Sequence, residues 1–222
     1  MKKLLFTAFA SIAILSCSNN DYDELPCLSC AAKEAGCPNA TTGNNTLSCG
    51  GQTYKTVVIG SQTWMAENLN YNAASSKCYE NNESNCQIYG RLYDWFIAKK
   101  SCPKGWHLPS DADWDKLVNY VESSNGCSSC AAKYLKTSDW DGEDKYGFSA
   151  LPGGYGFSGG SFYGVGLNGG WWSASEYNAY GTYDRGMLYD FESVSRYNGN
   201  KSTLRSVRCL QGLKRVVLAK PK

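Results

Sequence analysis

The sequence predicts an α+β domain, and three observations carry that reading. Residues 92–100 and 110–121 hold apolar side chains at helical spacing. From Tyr146 onward no helical period is found, and short apolar and aromatic runs alternate with glycine. Helices early and strands late indicate segregated α+β architecture rather than alternating βαβ units.

The elements follow in chain order. Met1, Lys2 and Lys3 form a short basic start, and Leu4–Leu15 is an apolar run. That run is well short of the roughly 20 residues a spanning helix needs, and it has signal-peptide length. Ser16 followed by Cys17 resembles the bacterial lipobox. By that resemblance residues 1–16 are a signal peptide, and Cys17 is the lipidated first residue of the mature chain. An ordinary secretory signal cut nearby is the alternative, since Leu15 is bulkier than the usual lipobox residue at that place. Residues 17–50 form a polar, acidic tether with Asp21, Asp23 and Glu24, then a segment holding Cys27, Cys30, Cys37 and Cys49. The globular domain spans 51–211. Thr53–Ile59 reads as a strand ended by Gly60 and Ser61. Asn72–Asn85 reads as a polar loop. Leu92–Lys100 reads as a helix through Leu92, Trp95, Phe96 and Lys99, stopped by Pro103. The clearest helix follows: Ser110 is its cap, Asp111 and Asp113 suit the first turn, Trp114, Leu117, Val118 and Val121 form its apolar stripe, and Gly126 lies beyond its end. Phe148–Leu151, Trp171–Ser175, Met187–Phe191 and Val207–Leu210 read as strands. Residues 212–222 are a basic tail.

Charge and cysteine content narrow the function. The chain has 22 Lys plus Arg against 20 Asp plus Glu, and loss of residues 1–16 removes Lys2 and Lys3 but no acid. The mature chain is then formally neutral, which gives no electrostatic footprint for nucleic acid and little generic attraction to anionic lipid. Lipid on Cys17 is therefore the expected membrane anchor. Of the 11 cysteines, ten remain after Cys17. An even number outside the cytoplasm reads as up to five disulfides. Cys78 and Cys86 are near enough to close a loop of their own. Cys27, Cys30, Cys37 and Cys49 are loosely zinc-like in spacing, but an oxidising compartment favours disulfides and no histidine joins them. Neither Cys27-x-x-Cys30 nor Cys127-x-x-Cys130 follows an apolar strand and opens an amphipathic helix, as a thioredoxin-type redox pair would.

Few residues offer catalytic chemistry. His107 is the single histidine, so any imidazole catalyst or histidine metal site must use it. Its place in a turn between Trp106 and Leu108 favours a ring nitrogen bonded to backbone. Asp139, Asp141, Glu143 and Asp144 are clustered enough to suggest calcium, but the EF-hand pattern fails and a solvated turn is the simpler reading. Apart from calcium there, no cofactor is expected. Residues 153–200 are dense in glycine and aromatic side chains. Trp171 and Trp172 sit on an expected strand, so alternation makes at least one of them core. Tyr155, Phe157, Phe162 and Tyr163 are expected partly exposed on a long glycine-rich loop, near Tyr177 and Tyr180, as candidate ligand-binding rings.

The ordered motifs carry a family resemblance. They are GQTYKTVVIGSQTWMAENLNY from Gly51 to Tyr71, YGRLYDW from Tyr89 to Trp95, CPKGWHLPS from Cys102 to Ser110, YGFSALPGG from Tyr146 to Gly154, WSASE from Trp172 to Glu176, and SVRC from Ser206 to Cys209. This series closely resembles the Fibrobacter succinogenes major paralogous domain, a family of bacterial surface lipoproteins. The resemblance places it in a C-type-lectin-like superfamily that also holds the formylglycine-generating enzymes. It implies two helices against a small, irregular antiparallel sheet with long glycine- and aromatic-rich loops. It also implies a long-range bridge between Cys102 and Cys209. The expected role is a lipid-anchored envelope module binding glycan or protein, in the outer membrane, with the periplasmic and the external face both open. An enzyme like the formylglycine-generating proteins, or a purely structural envelope lipoprotein, are the alternatives. The enzyme chemistry has no matching residues, because Asn178–Val207 holds no cysteine. The calcium-ligating Glu-Pro-Asn and Gln-Pro-Asp signatures of calcium-dependent lectins are absent from the sequence.

Overall fold

A computed structural model describes residues 36–212. Cys17, the acidic tether, Cys27 and Cys30, and the basic tail beyond Gly212 lie outside the described residues. The described chain is α+β, with four α-helices and two curled sheets. The first sheet contains β1 (Thr41–Gly43), β2 (Thr46–Cys49), β3 (Gln52–Ile59), β4 (Gln62–Met65), β6 (Trp106–His107) and β13 (Leu210–Gln211), with β5 (Leu92–Tyr93) assigned elsewhere. Its order is β1-β2-β3-β4-β13-β6. The second sheet contains β7 (Gly153–Phe157), β8 (Phe162–Val165), β9 (Asn168–Glu176), β10 (Gly181–Leu188), β11 (Ser195–Asn200) and β12 (Thr203–Ser206), and β5 pairs with β12. Its order is β11-β10-β9-β12-β7-β8. Most neighbours are antiparallel, but β9 pairs parallel with both β12 and β7. The sheet is therefore mixed, not purely antiparallel.

The helices are α1 (Glu83–Tyr89), α2 (Trp95–Ser101), α3 (Asp111–Asn125) and α4 (Ala131–Leu135). α3 starts as its sequence dictates. Ser110 Oγ accepts from Asp113 N, while Asp113 reaches back to the Ser110 backbone, which makes a full capping box. Gly126 ends the helix in the left-handed region at φ 63°. α2 begins later than the apolar spacing indicates. Asp94 caps it by accepting from Ile97 N, and Leu92 and Tyr93 instead pair with Ser206 and Arg205. Phe96 consequently faces solvent. α1 begins inside the segment expected to be a polar loop and runs four residues beyond it. It has a single buried residue, Cys86, so no apolar stripe announces it; Asn82 caps it and the Cys78–Cys86 bridge pins it.

Side-chain alternation divides consecutive residues between two cores. Trp64, Trp171 and Leu210 pack with Trp114, Leu117, Val121, Trp140 and Phe148. Their neighbours Met65, Trp172 and Cys209 pack with Tyr54, Tyr93, Trp95 and Trp106. Both tryptophans of the Trp171–Trp172 pair are therefore core. Three expected strands are corrected. Met187–Phe191 is strand only at Met187 and Leu188, where β10 ends. Phe148–Leu151 forms one bridge, Ala150 with Lys136, because Gly147 and Ser149 take positive φ and Asp144 accepts from Ser149 N and Oγ. Val207–Cys209 stays outside the strands. Its Arg208 is fully buried, donates to Asn68 Oδ1 and to the Phe148 and Ser149 carbonyls, and lies over the Phe148 ring.

Candidate aromatic and polar sites

The expected loop carrying Tyr155, Phe157, Phe162 and Tyr163 is a β-hairpin, β7–β8. Period two puts Tyr155 and Phe157 on one face with Gly156 between them, and Tyr163 lies opposite Tyr155 in register. The three rings touch one another at centroid distances of 5.8, 5.8 and 5.9 Å. Phe157 is nonetheless 43% exposed and Tyr163 50%. Phe162 opposes Gly156 and points to the other face, where it packs on Tyr79 beside Leu204 and Leu92. It is a packing residue and leaves the candidate set. Tyr177 and Tyr180 belong to the β9–β10 turn. There Tyr177 packs on Tyr183 at 5.5 Å, and Tyr180 is 81% exposed. Among the described residues no ring contact joins this turn to the hairpin cluster, so the single aromatic surface read from sequence is two surfaces.

Two charged residues that the sequence reading did not single out lie beside the hairpin cluster. Arg205 on β12 places its guanidinium 5.4 Å from the Tyr155 ring and 5.5 Å from the Trp172 ring. Its Nε is 3.0 Å from Asp184 Oδ2 on β10. Asp184 is fully buried; burial pushes its carboxyl up from the ordinary range, and Arg205 opposes that rise. The available sequence signal was an acid in the middle of a strand, within GTYDRGML, where charge is rarely buried without a partner.

A second candidate is a cleft of about 680 Å³ bordered by His107, Ser110, Asp113, Lys116, Lys99 and Gln62. His107 Nδ1 is 2.9 Å from the Gly212 carbonyl oxygen, which only accepts, so that nitrogen carries the proton. His107 Nε2 lies 3.7 Å from Asp113 Oδ2. Ser110 Oγ donates to the same carboxylate oxygen at 2.6 Å. The serine thus serves the carboxylate, not the imidazole, and the three do not form a nucleophile–base relay. A further cleft, of about 500 Å³, is bordered by Tyr54, Glu67, Asn68, Asn70 and Thr137.

The proposed calcium ligands do not converge. Among the described residues, Asp139, Asp141, Glu143 and Asp144 supply no set of three ligand atoms within 4.8 Å of one another. Asp144 is engaged by Ser149, and Glu143 pairs with Lys133 at 3.6 Å. The group that does meet this distance is Cys78, Glu83 and Cys86, whose two sulfurs are joined to each other.

Four disulfides cover the eight described cysteines: Cys37–Cys49, Cys78–Cys86, Cys102–Cys209 and Cys127–Cys130. Zinc held by Cys37 and Cys49 is thereby excluded. The Fibrobacter succinogenes major domain family model matches residues 57–211, most of the chain. The chain belongs to this family. No curated protein and no solved structure gives a significant match. The matched span of this Fibrobacter succinogenes major domain begins within β3 and ends at β13, and it contains the hairpin cluster, Arg205, Asp184 and the His107 cleft.

Proposed function

We propose that this protein is a lipid-anchored component of the bacterial cell envelope whose globular domain binds glycan. The observation that carries the reading is the cluster of Tyr155, Phe157 and Tyr163, packed on one another yet open to solvent on the face of a sheet. Tyrosine and phenylalanine faces cover the apolar faces of sugar rings at low ordering cost. We read the fold as C-type-lectin-like. In support stand the curled, irregular sheets, the helices α2 and α3 that both pack on β9, and the bridge from the end of α2 to the last strand region. The anchor is diacyl and N-acyl lipid on Cys17, where each buried methylene adds about 0.8 kcal/mol to membrane affinity. Among the described residues no helix is long and apolar enough to cross a membrane. The domain faces outward from the outer membrane: Ser18 is not a retention aspartate, and Asp21, Asp23 and Glu24 resemble acidic export signals.

A glycan array probed with the full-length chain tests the binding reading. Tyr155→Ala and Tyr163→Ala should each lower affinity by about 0.5–1.5 kcal/mol while the melting temperature stays nearly constant. Melting of the domain by those changes would make the rings core and remove the reading. Mass spectrometry of the N-terminal peptide should show acylated Cys17, and protease treatment of intact cells should remove the domain.

A further inference from the structure

We infer that Arg205, held by Asp184 between the exposed tyrosines of β7–β8 and β11, is a recognition site for a carboxylate-bearing sugar, a uronic acid unit of a polysaccharide. This rests on the glycan reading and names the class of sugar.

Glycines make the space. Gly170 on β9, Gly186 on β10 and Gly199 on β11 all lie under this face. A Cβ on Gly170 would sit 2.9 Å from Arg205 Nη1, and one on Gly186 would sit 2.7 Å from the Tyr197 ring. One on Gly199 would sit 3.1 Å from Asp184 Oδ1 and 3.6 Å from Arg205 Nη2. The missing side chains let the guanidinium lie across β9 toward β11 and let Tyr197 lie across β10. Register places Tyr197 directly opposite Asp184, so both share the face.

Asp184 fixes the orientation of the cation. Its carboxylate is fully buried and makes no well-aligned hydrogen bond; its one close partner is Arg205 Nε at 3.0 Å. Among the described residues, Nη1 and Nη2 of Arg205 meet no hydrogen-bond acceptor, and the side chain is 17% exposed. The free edge is a planar pair of donors with no accepting atom. Its complement is a group that only accepts, through two oxygens at matching spacing: a carboxylate. Because Asp184 offsets the charge, selectivity here comes from the fork geometry more than from net attraction. Tyr155 flanks the guanidinium at 5.4 Å, with Tyr163 stacked on Tyr155 at an interplanar angle of 29°. Tyr197, 45% exposed, stands on the other side. A sugar ring on either tyrosine brings its carboxylate to the cation. The site is an open strip across strands rather than a closed cavity, which suits a chain polymer.

The test is calorimetric titration of the full-length chain, purified in detergent, with a galacturonic acid trimer and with its fully methyl-esterified form. The acid should bind at least tenfold more tightly than the ester. Arg205→Lys, which keeps the charge and loses the fork, should remove that preference. Tyr163→Ala should weaken both ligands. Equal affinity of the wild-type chain for acid and ester overturns the inference without requiring any variant, and so does an acid preference that survives Arg205→Lys. If acid and ester bind equally and Tyr163→Ala weakens both, the glycan reading stands and the uronate assignment falls. If neither trimer nor any arrayed glycan binds, both fall.

Discussion

Asp113 closes the first turn of α3 and braces the wall of the His107 cleft. Burial alone would raise its pKa, but hydrogen bonds from His107 and from the side chain and backbone of Ser110 outweigh that and hold it at about 2. A carboxylate with a depressed folded pKa stabilises above its unfolded value and loses that contribution as pH falls through the folded one. The window is therefore from about pH 4 down to about 2. With the group partly exposed, its contribution above that window is about 1–2 kcal/mol. Thermal melts should show Asp113→Asn less stable than the native chain at pH 6, with the difference vanishing toward pH 2; a constant difference would refute the linkage. Arg208 presents the opposite environment, fully buried with burial lowering its pKa to about 9. Removing its guanidinium strands two carbonyl oxygens in the interior and leaves Trp171 Nε1 as the remaining donor to Asn68 Oδ1. Arg208→Ala should cost about 3–5 kcal/mol in urea unfolding, and a loss under 1 kcal/mol would mean water takes its place. Sequence shows such residues unevenly. The cap Ser110 and its partner Asp113 are three apart and legible together. His107 reads as bonded to backbone, but its partner Gly212 lies 105 residues away and only the fold supplies it. Arg205 and Asp184 are invisible as a pair for the same reason, since they sit on β12 and β10 with β9 between them.

At the scale of elements, legibility follows the range of the forces that form each one. α3 is determined locally, by a cap, an apolar stripe and a terminal glycine, and its bounds are readable to a residue or two. α1 is determined by a disulfide and a cap on an otherwise polar run, so hydrophobic period does not report it. β5 is apolar at helical spacing relative to α2, and only its pairing with β12 makes it a strand. The β7–β8 hairpin hides behind its own glycines, which read as loop but are required by geometry. Gly154 has φ of 67°, and a Cβ there would sit 2.5 Å from the Tyr163 carbonyl oxygen and 2.8 Å from Val165 N. Gly159, in the connecting turn, has open space around it. Gly154→Ala should therefore destabilise by about 1–3 kcal/mol, whereas Gly159→Ala should stay within about 0.5 kcal/mol of the native chain. Equal effects in equilibrium unfolding would show that the hairpin register is not what the glycine protects.

For the whole molecule, the α+β class and the extent of the domain are legible because composition changes along the chain. The split of the sheet into two is not, because β4 and β13 meet from opposite ends of the domain. That meeting places Cys209 beside Cys102, 107 residues earlier in the chain. Cys78 and Cys86 are eight apart and close only a local turn around α1. In the chain-entropy account a cross-link stabilises by restricting the unfolded ensemble, and the restriction grows with the logarithm of the loop. The long bridge then contributes about 4–5 kcal/mol and the short one about 2–3 kcal/mol, both as upper values. Cys209, Cys78 and Cys86 are all buried, so each paired replacement carries a packing cost and the difference between the two rests on loop length. The paired replacement of Cys102 and Cys209 by alanine should therefore lower stability more than the same replacement of Cys78 and Cys86. It should also raise the denaturant slope more, because freeing a long loop exposes more surface on unfolding. Paired replacements are required, since a single change leaves a thiol able to exchange with the other bridges. Urea titrations under non-reducing conditions decide the matter. If the short bridge proves worth as much as the long one, the stabilisation lies in native contacts around α1 and not in the topology of the unfolded chain.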